Sequence, residues 1–231
     1  MLLVGPPGVG KSHFCRRLAE TLQSGTSWVA MDDASSAGAT LRGSDAVWSS
    51  TRHGVLFELL GLGVTSNPLV VLDEIDKASR SYSNRGVDQL AQLYSALEPE
   101  TACHLADVSL DVQLDTSLVM YVATANGLAN LDAPLLSRFE VISVGLPAPE
   151  ERRDAALRIA QNTLVKMGLP ASVSVQPGCA VLLEEYSPRV IKRAVEKAMT
   201  DAYVRGRRKL TVEDLEVALG LGDTAPMRYF H

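Results

Sequence analysis

No apolar run in this chain approaches the roughly 18 residues that cross a bilayer; Leu118 to Ala123 is among the longest. A membrane span is therefore not expected. The opening residues Met1-Leu2-Leu3-Val4-Gly5 lack the basic segment and long apolar stretch of a secretory leader. Cysteine is scarce: Cys15, Cys103 and Cys179 are an odd set, far apart, without the spacing of a metal site or a disulfide framework. These absences together point to a reduced, cytoplasmic setting. A basic stripe that would track nucleic acid is missing as well. Residues 1–149 carry 9 basic and 16 acidic side chains, a balance of −7, while residues 150–231 carry 13 and 11, a balance of +2. Only Arg205-Gly206-Arg207-Arg208-Lys209 is locally basic, and it reads as a solvated turn between two helices. Hydrophobic residues at 46% and charged residues at 21% exclude a disordered chain, and repeats and low-complexity tracts are absent.

What the chain does have begins four residues in. Gly5-Pro6-Pro7-Gly8-Val9-Gly10-Lys11-Ser12 is a complete phosphate-binding loop, with Gly at 5 and 10, Lys at 11 and Ser at 12. Leu2-Leu3-Val4 reads as the end of a buried strand, and Phe14, Cys15, Leu18, Ala19 and Leu22 form a helical stripe after the loop. Strand, glycine loop and helix aim successive backbone N–H groups and a helix N-terminus at one anion. Glycine lets the backbone approach, Lys11 neutralises the β- and γ-phosphates, and the Ser12 hydroxyl can ligate Mg²⁺. The ligand expected here is a nucleoside triphosphate.

Apolar strand-like runs recur at 28–31, 69–72, 118–123 and 141–144. Helix-period segments fall between most of them, at 54–62 and at Val87, Leu90, Leu93, Tyr94 and Leu97. Strands alternating with helices predict an α/β fold: a P-loop parallel sheet with helices on both faces, ligands binding at the carboxyl ends of the strands. Leu146-Pro147-Ala148-Pro149 breaks the pattern, and the remainder of the chain reads as helix: 150–167, a segment around 179–186, and 188–204. The last of these is expected to bury Val190, Ile191, Ala194, Val195, Ala198, Met199, Ala202 and Tyr203, with Ser187 as its cap and Pro188 at the first helical position. Thr211-Val212-Glu213-Asp214 then starts a final helix ending near Gly220. The expected domains are a nucleotide-binding domain over 1–147, a small all-helical lid over 148–222 and a tail over 223–231.

Leu69-Val70-Val71-Leu72-Asp73-Glu74 is an apolar strand ending in carboxylates beside the loop. One carboxylate there can hold the Mg²⁺ shell and the next can orient the attacking water; Asp73 is assigned to the metal and Glu74 to the water. Asp76 reads as a helix cap. Asn126 follows the strand Val122-Ala123-Thr124-Ala125, where an amide either contacts the γ-phosphate or merely turns the chain. Arg138 and Arg189 cannot be assigned from spacing alone.

Together these motifs resemble an AAA+ ATPase, and within it the ATPase module of Lon-type proteases. The phrases that carry the resemblance are Asn67-Pro68 through Asp76-Lys77, Leu97-Glu98-Pro99-Glu100, Val122 to Asn126, Ala133-Pro134 to Val141-Ile142, and Leu210 to Leu215, in family order over nearly the whole chain. The resemblance implies that Asn126 is the sensor-1 residue. Arg138 would be an arginine finger acting in a neighbouring subunit, and Arg189 a sensor-2 arginine carried on the helical lid. Trp48, in Gly43-Ser44-Asp45-Ala46-Val47-Trp48, falls where the family carries a pore-loop aromatic that grips a polypeptide, although Ser49 and Ser50 depart from the aliphatic residue and glycine that normally come next. A homo-oligomeric ring, a hexamer by family pattern, would use ATP and Mg²⁺ to unfold or remodel a protein partner. Two further departures set expectations. The segment that precedes the first strand and helps enclose the adenine is absent, and no Ser–Lys peptidase domain comes after the helices, so a motor without peptidase activity is expected. A nucleotide-dependent binding switch is the alternative reading, as is the ATPase fragment of a longer Lon-like protein. The intact Asp73-Glu74 pair argues against the switch, and the acidic main domain argues against a nucleic-acid motor.

Overall fold

Alternating side chains along one strand show how the chain is layered. Leu69 and Val71 face one cluster with Leu3, Val122 and Cys15, while Val70 and Leu72 face another with Leu2, Leu56, Leu93 and Leu135. All four strand residues are fully buried, so this strand is covered on both faces, as a parallel sheet between helices requires. The computed structural model describes residues 1–31, 41–43, 52–78 and 89–221. Trp48, Val87, most of the expected pore-loop segment and the tail 223–231 lie outside the described residues.

The described residues form two units, divided between Gly145 and Leu146. In the first, β1 (Leu2–Val4) leads through the glycine loop into α1 (Lys11–Leu22), followed by β2 (Thr26–Ala30), α2 (Val55–Gly61) and β3 (Leu69–Asp73). Next come α3 (Gln89–Leu97), α4 (Pro99–Ala102), β4 (Leu105–Asp107), β5 (Val112–Leu114), β6 (Met120–Ala125), α5 (Ala133–Leu136) and β7 (Val141–Ser143). The main sheet has the order β2-β3-β6-β1-β7, with every neighbouring pair parallel. The strand that feeds the glycine loop thus lies between β6 and β7, and three strand ends, those of β3, β6 and β1, converge beside the loop. The predicted α/β fold is the one observed. Of the stripe expected on α1, Cys15 is buried, Leu18 and Ala19 pack against the sheet, and Phe14 and Leu22 are exposed. The antiparallel pair β4–β5 was not expected from the sequence.

The second unit holds α6 (Pro149–Lys166), β8 (Ser174–Val175), α7 (Cys179–Leu183), α8 (Pro188–Val204), β9 (Lys209–Leu210) and α9 (Val212–Leu219). Its core joins Ala156 and Ala160 of α6 to Ala194, Ala198 and Met199 of α8 and Leu215 of α9. Small residues on α6 and α8 let their backbones approach closely. Val190 and Tyr203, expected inside, are 38% and 42% exposed, because α8 covers its neighbours over a narrower arc than its full apolar stripe. Nor is the unit purely helical: β8 and β9 form a short parallel pair. Among the described residues no helix is long and apolar enough to cross a membrane.

Candidate functional site

Gly5 ends β1 where the backbone passes the β7 edge so closely that a Cβ would lie 2.0 Å from the Val144 carbonyl oxygen. Only glycine fits there. Gly10, at φ 101°, adopts a left-handed conformation that other residues resist, and it starts α1 with no side-chain cap and no acidic residue in the first turn. The first N–H groups of α1 are therefore left for another acceptor.

Lys11 stands at that opening and is 8% exposed. Its ammonium donates to the carbonyls of Gly5 at 2.6 Å and Pro6 at 3.0 Å, and to Asn126 Oδ1 at 3.0 Å. An ammonium can only donate, which fixes the amide oxygen of Asn126 toward it. Burial pushes the Lys11 pKa down, and the charges of Asp76, Asp73 and Glu74 pull it back up. Asn126, at the end of β6, is held in turn by its backbone N–H, which donates to Asp76 Oδ2 at 3.2 Å. Among the described residues Asp76 caps no helix, contrary to the sequence reading; its side chain braces the Asn126 backbone instead.

At the end of β3, Asp73 Oδ1 accepts from Ser12 Oγ at 3.2 Å and from Thr124 Oγ1 at 2.6 Å. Glu74 comes next in a left-handed conformation, φ 57° and ψ 49°, which costs a non-glycine residue about 1–2 kcal/mol. Two hydrogen bonds hold it: its N–H donates to Thr124 Oγ1 at 3.0 Å, and its carbonyl accepts from Lys77 N at 2.9 Å. Its carboxylate pairs with Lys77 at 2.6 Å and is partly exposed. Cys15, fully buried on α1, has its thiol pushed up to about 11 by burial, with Asp73 adding to the shift.

The structure thus brings Lys11, Ser12, Asp73, Glu74 and Asn126 together. It holds Arg138 elsewhere in the same unit. Arg138 Nη1 donates to the Pro134 carbonyl at 2.7 Å, Nη2 pairs with Glu98 Oε2, and the guanidinium lies 5.4 Å from the Tyr94 ring centre. The underlying α5 is capped by Asp132, which accepts from Leu135 N at 3.0 Å. Arg189, in the helical unit, stands exposed in the first turn of α8.

Thr124 is the site residue that sequence reasoning missed. The signal was present, since a hydroxyl inside the apolar strand Val122-Ala123-Thr124-Ala125 must find partners when buried. A hard-oxygen donor set of one hydroxyl and one carboxylate beside a lysine suits Mg²⁺ shared with a phosphate ligand, and not a cage built by protein alone. In keeping with this, no group of three or more His, Cys, Asp or Glu among the described residues could hold a metal.

Comparison with known proteins agrees with this geometry. Residues 1–145 match the family model described as the ATPase family associated with various cellular activities (AAA). The Lon protease of Mycoplasma mobile is 30% identical over 220 residues, covering 94% of this chain and 25% of that protein. A mitochondrial Lon protease homolog from Debaryomyces hansenii is 32% identical over 219 residues, covering 94% of this chain and 20% of that protein. The chain therefore spans a quarter or less of the length of these relatives. Among solved structures, the Holliday junction branch migration motor RuvB of Thermotoga maritima superposes with a TM-score of 0.61 at 18% identity, covering 95% of this chain and 60% of that one. At that identity the likeness is one of fold.

Proposed function

Because the chain belongs to the ATPase family associated with various cellular activities, we propose that it binds ATP with Mg²⁺, hydrolyses it to ADP and phosphate, and uses the cycle to unfold or remodel a protein partner. The observation that carries this reading is the convergence of Lys11, Ser12, Asp73 and Asn126 at the open N-terminus of α1. There Lys11 and the loop N–H groups bind the phosphates. Ser12 and Asp73 would hold Mg²⁺, which when bound would supply charge neutralisation to the phosphates. Glu74, set apart from the strand by its left-handed turn, orients the attacking water and accepts its proton. Asn126 positions the same water against the phosphate.

Arg138 supplies a cation to the site of a neighbouring copy, which makes activity depend on a homo-oligomeric ring, a hexamer by family pattern. Within its own subunit the guanidinium contacts Pro134, Glu98 and Tyr94, and among the described residues it has no hydrogen bond to Lys11, Ser12 or Asp73, which is consistent with action in a neighbouring copy. Arg189 acts over the phosphates from the lid, residues 148–222, while residues 1–147 form the nucleotide-binding domain. Local physics supports a ligand role for Arg189: α8 has no acidic residue in its first turn, and a cation at that helix end is unfavourable by itself. Cytoplasmic residence completes the proposal. Turnover should rise when an unfolded protein is added and stay level with DNA. Stimulation by DNA alone would favour a nucleic-acid motor, and absence of turnover in every condition would favour a nucleotide switch.

A further inference from the structure

Thr124 occupies a position where one hydroxyl meets both carboxylate residues of the site. It is 1% exposed and stands one residue beyond Ala123, the last β6 residue paired with β3. Asp73 Oδ1, 2.6 Å away, can only accept, and the Glu74 N–H, 3.0 Å away, can only donate. The Thr124 proton must therefore point at Asp73, and its lone pair at Glu74. No freedom is left in the hydroxyl. Ser12 Oγ donates to the same Asp73 oxygen, so Oδ1 is engaged by two hydroxyls, while Oδ2 accepts no hydrogen bond among the described residues. That arrangement fixes the carboxylate plane and leaves one oxygen to face a cation. The same hydroxyl steadies the Glu74 backbone in its left-handed turn, at φ 57°, and so determines where the Glu74 carboxylate begins.

We propose that Thr124 is a positioning residue for both the metal and the water: its single hydroxyl sets the Asp73 carboxylate for Mg²⁺ and the Glu74 backbone for water orientation. This inference rests on the roles given to Asp73 and Glu74 above. Its test separates the hydroxyl from the fold by using three variants of the full chain. Thr124→Val keeps the volume and loses the hydroxyl, Thr124→Ser keeps the hydroxyl and loses the methyl, and Thr124→Ala loses both. Binding of a fluorescent ATP analogue is measured against Mg²⁺ concentration. Loss of a hydrogen bond to a metal-ligating carboxylate typically weakens metal affinity about 10–100-fold, so Val and Ala should shift the Mg²⁺ half-saturation upward by that factor. Thr124→Ser should stay within about twofold of the unmodified chain. Affinity for the analogue in the absence of metal should be unchanged in all three. In the ligand-free chain, exchange of the Glu74 amide hydrogen should quicken in Val and Ala and not in Ser.

Equal Mg²⁺ half-saturation in Ser and Ala would overturn the proposal, as would an unchanged value in a folded Thr124→Val chain. If the unmodified chain binds the analogue without any dependence on Mg²⁺, the metal site itself is wrong and Thr124 loses its role with it.

Discussion

In the helical unit each of the last two helices is closed by its own residues. Ser187 caps α8, Thr211 and Asp214 form a reciprocal capping box on α9, and Gly220 ends that helix at φ 74°. The α/β unit does the reverse beside its glycine loop. There α1 starts without a side-chain cap, a lysine sits at the positive end of the helix, and Glu74 holds a conformation that its own side chain disfavours. The caps of α8 and α9 agree with the tertiary structure, whereas beside the glycine loop local preferences and tertiary structure conflict. Such conflicts persist where binding or catalysis needs the unfavourable geometry, and here they gather around Lys11.

The comparison sharpens if residues of the α/β unit can be changed at great cost to turnover and little cost to folding. Arg138→Ala should lower turnover about a thousandfold or more while ATP binding persists, the range seen when an arginine that stabilises transferred phosphoryl charge is removed. Glu74→Gln should also keep binding and lose about 10²–10⁴ in turnover, because an amide cannot take the proton. Mixing the two variants should restore part of the activity at interfaces that pair an intact site with an intact arginine. No recovery at any ratio, with mixed assembly shown separately, would count against action between subunits.

A smaller effect tests the helical unit. Arg207 donates to both Asp214 oxygens, at 2.8 and 2.7 Å, so the basic run 205–209 is not simply a solvated turn. The Arg207 bonds, with those from Thr211, hold the Asp214 carboxyl below the usual carboxylate range. A depressed folded pKa adds stability that is present above the unfolded value, near 3.9, and fades as pH falls through the folded one. Asp214→Ala should destabilise α9 by about 1 kcal/mol at pH 7, measured by amide exchange, with the gap to the unmodified chain closing below about pH 4. A gap that stays constant into acid would deny the carboxylate that role.

Much of the site was legible because its motifs are local. The glycine loop, the carboxylates ending β3 and the span of α8 each declare themselves within a few residues through spacing, capping and periodicity. What stayed hidden depends on register between distant segments. Thr124 matters because β6 lies beside β3, and Glu98 matters because it meets Arg138, 40 positions on. Asp76 has the composition of a cap, and only the fold places it under the Asn126 backbone. The pair β4–β5 has three residues per strand, too few for a period of two to register, and Asp111 turns at φ 52° where a glycine would have signalled it. The two-residue strands β8 and β9 are shorter still.

The central claim is that the open start of α1 is a binding site for the phosphates of ATP, with Lys11 as its cation. Calorimetric titration of ATP and Mg²⁺ into the unmodified chain and into Lys11→Ala tests it most directly. The account predicts one saturable site in the unmodified chain and no measurable binding in the variant, with both chains equally folded by circular dichroism. Comparable affinity in the two would contradict it.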